Sequence, residues 1–170
     1  AGEDIINLEA RLGYAHKGIE KRFEAMPLKD GVRLAARVSG DSTVAHSTAY
    51  AMAVEALSGV TAPPRAMWLR AVMLELERLA NHLNDIGAIC NDTAFSFMFY
   101  QFSRLREHVL RACKEVFGHR LMMDTVVAGG VCFDIDRADA ARILKTLALV
   151  SSEFERLIAI YDDNPSLEDR

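Results

Sequence analysis

Residues 37 to 50 read RVSGDSTVAHSTAY and bring together several groups able to do chemistry. Ser39 and Ser42 stand three apart, His46 follows four further on, and Arg37 and Tyr50 flank them. With cysteines in place of the serines, this spacing would form a corner of a metal site. A neutral hydroxyl is a poor substitute for a thiolate toward a soft metal, so the serines themselves offer no such ligation. Arg37 supplies a fixed positive charge. A tyrosine in such a segment, here Tyr50, reads as a core residue with a bonded hydroxyl. His16, His46 and His82 each stand alone in helical segments, the pattern of surface or satisfied core histidines. Asp85 and Asp92 bracket a helix junction, where carboxylates commonly cap. No nucleophile triad, phosphate loop or EF-hand is present in the sequence. Residue chemistry alone leaves the function open.

The elements that must position these groups are helical. Residues 3–14 are weakly patterned and could form a short strand. AHKGIEKRFEAM reads as a short helix with Ile19 and Phe23 on one face, stopped by Pro27, and LKDGVRLAARV as another brief helical turn containing Gly31. A long alanine-rich helix follows from Asp41, with Asp41, Ser42 or Thr43 able to cap it and Gly59 placed to end it. Pro63 and Pro64 open the next helix. Its apolar stripe runs Trp68, Val72, Leu76, Leu79, Leu83 and Ile86, leaving Glu75, Glu77 and Arg78 in water. The crowded Phe95, Phe97, Phe99, Tyr100 and Phe102 read as core, and Gly118 ends their helix. TVVAGGVCFDI is the strand-and-turn candidate around Gly129-Gly130. The last helix places Ile143, Leu147, Val150, Phe154, Leu157 and Tyr161 on one side. The expected fold is mainly α: a bundle of long antiparallel helices with a minor β and turn element.

Composition narrows the classes. The chain has 170 residues, 51% of them hydrophobic and 26% charged, which suits a globular domain with a sizeable core. A net charge of −4 gives no case for nucleic acid as a partner. No apolar run reaches the ~18 residues of a transmembrane segment. Cys90, Cys113 and Cys132 are odd in number and scattered, suggesting a reducing compartment and three small buried hydrophobes. The sequence starts without Met and stops just after a strong helical segment. It is therefore expected to be a single helical core fragment, residues 1–170, of a longer polypeptide cut at both ends.

RVSGDSTVAHSTAYAMAVE resembles the catalytic large subunit of nickel–iron hydrogenases of the formate-hydrogenlyase type, and the related 49-kDa-type subunit of respiratory complex I. LGYAHKGIEKRFE is similar to a family segment of Leu-Gly-x-x-His-x-Gly-Ile-Glu type, AMAVEALSGVTAPPRAMWLRAVMLELERLANHLNDIGA to its long helices, and AGGVCFDI to its Gly-Gly turn. The hydrogenase motif Arg-Ile/Val-Cys-Gly-x-Cys-x-x-x-His supplies two of four thiolates to nickel and iron. Ser39 and Ser42 stand at those positions here, so the resemblance implies no metal centre of that kind. It points instead to the complex I branch, whose corresponding cavity receives a quinone headgroup. By position, Tyr50 matches the tyrosine that hydrogen-bonds a quinone carbonyl, and Asp92 an aspartate near the same cavity. Arg37 matches an arginine facing the terminal iron–sulfur cluster of a neighbouring subunit, and His46 the histidine of the hydrogenase motif. Val127-Ala128 replace the Arg-Pro that commonly precedes the Gly-Gly turn.

The resemblance thus implies a large-subunit fragment without a nickel–iron centre. It would pass electrons from a partner-held iron–sulfur cluster to a quinone-type acceptor and be inactive in isolation. The implied partners are an iron–sulfur small subunit, membrane subunits and quinone. The implied place is cytoplasmic, peripheral on the inner face of the membrane through those partners. A divergent nickel–iron hydrogenase, or a non-catalytic coupling or assembly subunit, is the alternative.

Overall fold

The structure is a computed structural model that describes residues 7–12 and 15–168. Helices α1 (Ile19–Glu24) and α2 (Leu28–Ala35) are short, and a 3₁₀ turn at Gly40–Ser42 leads into α3 (Thr43–Ser58). Two long helices follow, α4 (Pro64–Asp92) and α5 (Ser96–Phe117). A two-stranded hairpin, β1 (Val126–Val127) and β2 (Gly130–Val131), precedes α6 (Arg137–Asp162) and the single turn α7 (Pro165–Glu168). The fold is mainly α, as the periodicity predicts. Of the strand expected over residues 3–14, residues 7–12 carry none, and the rest lie outside the described residues.

Local sequence sets most helix ends. Gly59 and Gly118 follow α3 and α5 with φ of 66° and 79°, a left-handed conformation that glycine adopts without steric penalty. Pro64 is the first residue of α4, where a missing N–H breaks no helical bond. Asp136 starts α6 through a capping box, accepting from the Asp139 amide while the Asp139 side chain accepts from the Asp136 amide.

Helix α4 is the centre of the packing, with α5 along most of one side, α3 beside its first half, and α6 on α5. Glu77 of α4 touches Val44 of α3, and Arg70 touches Glu55, so the two helices run antiparallel. In the hairpin, Val126 pairs with Val131 and Val127 with Gly130. The core gathers Val44, Met73, Leu83, Met98, Phe102, Leu105, Val109 and Val126, all essentially without exposure. Gly87 lets α4 approach α5 closely, because a Cβ there would stand 3.2 Å from Phe102 Cβ. Along α6, Ile143, Val150 and Leu157 are buried, and Leu147, Phe154 and Tyr161 pack beside them as the stripe requires.

Three packing expectations need correction. Trp68 is 74% exposed and Val72 is also exposed, whereas the buried line of α4 runs Ala66, Leu69, Met73, Leu76, Ala80, Leu83, Gly87 and Cys90. The face mixes small residues, Ala66, Ala80 and Gly87, with large ones, Leu69, Met73, Leu76 and Leu83, and Trp68 and Val72 fall at its rim. In the aromatic cluster only Phe102 is fully buried; Phe97 and Tyr100 are exposed, because five rings this close in sequence cannot all face one side of a helix. Cys132 is exposed, unlike Cys90 and Cys113, because it follows the hairpin instead of lying within a packed helix.

Candidate functional site

The candidate residues sit on three different supports. Tyr50 projects from α3 under α2, where its hydroxyl donates to the Leu28 carbonyl at 3.0 Å. Its ring stacks on Phe23 with centroids 5.4 Å apart and planes 20° from parallel. Space for the phenol exists because residue 31 is glycine; a Cβ there would lie 2.0 Å from the Tyr50 oxygen. The tyrosine is half-buried, with its hydroxyl bonded as expected.

Arg37 lies just past the end of α2. Its two terminal nitrogens donate to the two carboxylate oxygens of Asp124, each at 2.7 Å, and Nη1 also donates to the Arg33 carbonyl at 2.7 Å. The hydrogen bonds from Arg37 hold the Asp124 carboxyl below the usual carboxylate range, with the charges of Arg37, Arg33 and His119 adding to the effect. Asp124 itself takes a left-handed backbone conformation, φ 62°. Nothing in the local sequence around Arg37 announces this partner.

Between Arg37 and α3, Ser39 and Ser42 bracket the 3₁₀ turn, where the Ser42 amide donates to the Ser39 carbonyl at 3.3 Å. The expected cap of α3 by Asp41, Ser42 or Thr43 is not made by any of them. Glu77 makes it from α4: its carboxylate accepts from the Val44 amide at 2.6 Å and the Ala45 amide at 3.0 Å. The Asn81 amide adds a bond to the Asp41 carbonyl at 2.6 Å. Glu77 is therefore half-buried and structural, not wet, and burial pushes its carboxyl above the ordinary range. A helix periodicity read one segment at a time cannot reveal a cap supplied by another helix. Glu75 and Arg78 are exposed as expected and pair with each other.

His46 is exposed on α3, and His16 and His82 are exposed as well. Asp92 is exposed at the last residue of α4, and neither it nor Asp85 caps α5, which has no side-chain cap. At ~1.5 Å per residue, Asp92 stands roughly 22 Å along α4 beyond Glu77. Tyr50 lies on the other side of that level, because α3 and α4 are antiparallel. The structure thus brings Arg37 to the Ser39–Ser42 turn, holds Tyr50 in the α2–α3 corner, and keeps Asp92 apart from both.

A buried pair outside the sequence-derived set organises the Gly-Gly turn. Glu55 accepts from Arg70 Nη2 at 2.6 Å and from the Gly129 amide at 2.7 Å. Arg70, 1% exposed, also donates to the carbonyls of Val127 and Gly130, at 2.7 and 2.9 Å through Nη2. The signal was a lone glutamate in the apolar run AMAVEAL and a lone arginine three residues after Met67, on the face that α4 buries.

The donor set does not suit nickel. The two positions that would carry thiolates carry hydroxyls, and burial raises the Cys113 thiol to about 12, which keeps it protonated. Among the described residues no group of three His, Cys, Asp or Glu side chains is arranged to hold a metal ion.

A mainly helical core carrying a Gly-Gly turn is the class that the sequence resemblance describes. Residues 85–170 match the family described as the respiratory-chain NADH dehydrogenase 49 Kd subunit. The chain belongs to that family. It is 35% identical to formate hydrogenlyase subunit 5 of Escherichia coli over 170 residues, 99% of this chain and 30% of that protein. Hydrogenase-4 component G of the same organism is 34% identical, over 99% of this chain and 31% of its own length. NADH-quinone oxidoreductase subunit 4 of Thermus thermophilus is 30% identical over all of this chain and 42% of its own length. The chain thus spans about 30 to 42% of the length of these relatives.

Proposed function

We propose that this chain is the helical core of the large subunit of a complex I-like or hydrogenlyase-like oxidoreductase that lacks a nickel–iron centre. It would carry electrons from an iron–sulfur cluster in a partner small subunit to a quinone-type acceptor. The observation that carries this reading is the pair Ser39 and Ser42, hydroxyls on a 3₁₀ turn where hydrogenase relatives would need thiolates. The cluster and the acceptor supply the redox chemistry. This chain supplies a proton donor and a fixed charge.

Tyr50 is the proton donor. Its hydroxyl already donates to a carbonyl, that of Leu28, and a quinone carbonyl would take that acceptor's place. Exchanging one carbonyl for another costs little, because the phenol keeps one bond in either state. The phenol gives its proton to one quinone oxygen as two electrons arrive from the cluster and is reprotonated by solvent, while the second oxygen takes its proton from solvent. Arg37 stands at the neighbouring turn and carries the charge that would stabilise a reduced cluster on the partner. His46 and Asp92 are exposed and separate, and the proton step needs neither. No helix among the described residues is long and apolar enough to cross a membrane. We place the protein on the inner face of a cytoplasmic membrane, attached through partner subunits, as the resemblance implies.

The test uses the full-length protein in its complex. Elemental analysis should find no stoichiometric nickel, and Tyr50→Phe should lower quinone reduction by about a hundredfold, the scale of a lost general acid. One nickel per chain would sink the reading, as would unchanged turnover in Tyr50→Phe. A second reading, a hydrogenase with non-cysteine ligands, is favoured by the 35% identity to a formate hydrogenlyase subunit. Hydrogen-dependent dye reduction by the same complex would support that alternative.

A further inference from the structure

We propose that Asp124 is the positioning residue of Arg37, setting where the guanidinium points and offsetting much of the charge that it projects. This rests on the reading of Arg37 as the charge facing a partner's iron–sulfur cluster. The carboxylate meets the guanidinium fork edge to edge, with two bonds of 2.7 Å, the planar geometry in which arginine orientation is best defined. A third bond ties Nη1 to the Arg33 carbonyl. A guanidinium has five N–H donors. Three are spent on this side, leaving Nε–H and one Nη2 hydrogen for anything beyond. Paired in this way, Arg37 projects less charge outward than a lone guanidinium would, and Arg33, with Nε 3.8 Å from the same carboxylate, leaves the group of three with a net positive charge.

The backbone that delivers Asp124 is itself unusual. Met122 and Asp124 both take left-handed φ angles, 52° and 62°, although neither is glycine. Asp tolerates that region, whereas a left-handed methionine is held there by its surroundings. Met122 is 2% exposed, its amide donates to the His119 carbonyl at 3.0 Å, and the Thr125 hydroxyl donates to the Met122 carbonyl at 2.6 Å. The Leu121 amide also donates to His119 Nδ1 at 3.1 Å. This strained, tightly bonded segment aims Asp124 at an ion pair whose side chains remain 41% and 39% exposed. Pairs that open to water add little stability. Orientation of Arg37 is the property that the strain secures.

The experiment compares Asp124→Asn, Arg37→Gln and the double variant in the assembled complex. Asparagine keeps the tolerance for a left-handed backbone and one acceptor oxygen, but removes the charge. Two quantities are read: the midpoint potential of the partner's cluster nearest this subunit, and the rate at which phenylglyoxal modifies Arg37. Asp124→Asn should raise the potential and speed the modification several-fold, Arg37→Gln should lower the potential, and Asp124→Asn should raise the potential less in the Arg37→Gln background than in the native protein, because no guanidinium is left there to reposition. If Arg37→Gln moves the potential while Asp124→Asn changes neither quantity, the positioning role is overturned and the proposed function stands. If Arg37→Gln leaves the potential unchanged while Asp124→Asn still speeds modification, Asp124 does position Arg37 and the cluster-facing assignment falls. An Asp124→Asn shift equally large in the native and Arg37→Gln backgrounds would show Asp124 acting only through its own charge and would also overturn the proposal.

Discussion

Glu55→Gln tests whether the buried pair under the Gly-Gly turn holds the fold together. In the native protein the side chains of Arg70 and Glu55 are only 2% and 9% exposed, so each charge relies on the other. Glutamine preserves the shape and can still accept one bond, but it leaves the Arg70 guanidinium buried without a counter-charge. Removing one partner of a buried pair costs about 3–5 kcal/mol. For a chain of this size each 1 kcal/mol lowers the melting temperature by roughly 2–4 °C, so a drop of about 6–20 °C is expected. Calorimetric or circular-dichroism melting of the full chain measures it, and hydrogen exchange at the Val127 to Gly130 turn should quicken in parallel. Replacing both members, Glu55→Gln with Arg70→Met, should be less damaging than Glu55→Gln alone, because no charge is then stranded. The native pair also has a pH signature. The hydrogen bond from Arg70 lowers the Glu55 pKa, so its stabilisation is present above the ordinary carboxylate range and is lost as pH falls below it. A change of under about 1 kcal/mol in Glu55→Gln would refute the reasoning, since it would mean that water reaches Arg70 readily.

Two further perturbations probe the surroundings of the site. Gly31→Ala would place a Cβ 2.0 Å from the Tyr50 hydroxyl, and it should destabilise the chain by about 1–3 kcal/mol and weaken the Tyr50–Leu28 bond. Thermal melting with ultraviolet difference spectra of the tyrosine would detect both effects, and a neutral substitution would contradict the close approach. Glu107 accepts from Arg120 and Arg111, whose hydrogen bonds hold its carboxyl down at about 2 against an ordinary 4.5. In that window the unfolded chain binds the extra proton, so this contribution is complete above about 4.5 and is lost as pH falls toward about 2. Its amplitude is modest because the carboxylate is 35% exposed, and Glu107→Gln should flatten that part of the stability–pH curve.

Helix ends were legible wherever a short-range rule governs them. The glycines after α3 and α5, the prolines before α4 and the stripe of α6 all act within a turn or two of chain. The buried face of α4 was not legible from its apolar spacing. Trp68 and Val72 fit the helical period, yet the face that α4 buries runs through Ala66, Ala80 and Gly87, residues that hydrophobicity hardly marks. The cap of α3 was missed for another reason. Glu77 is 33 residues from Val44 in the chain, and a glutamate off an apolar stripe looks the same whether it meets water or a helix end.

For the site, the sequence by itself determined the chemistry available at the turn: two hydroxyls in place of two thiolates, a guanidinium before them and a phenol after. Those identities are covalent, and no fold can convert a serine hydroxyl into a thiolate. Tertiary structure decided what each group is free to do. It tied the Tyr50 hydroxyl to Leu28, set Arg37 against Asp124 across 87 residues of chain, and stationed Asp92 far along α4. Such pairings depend on the distance and direction between elements, which helix packing sets and residue spacing does not encode.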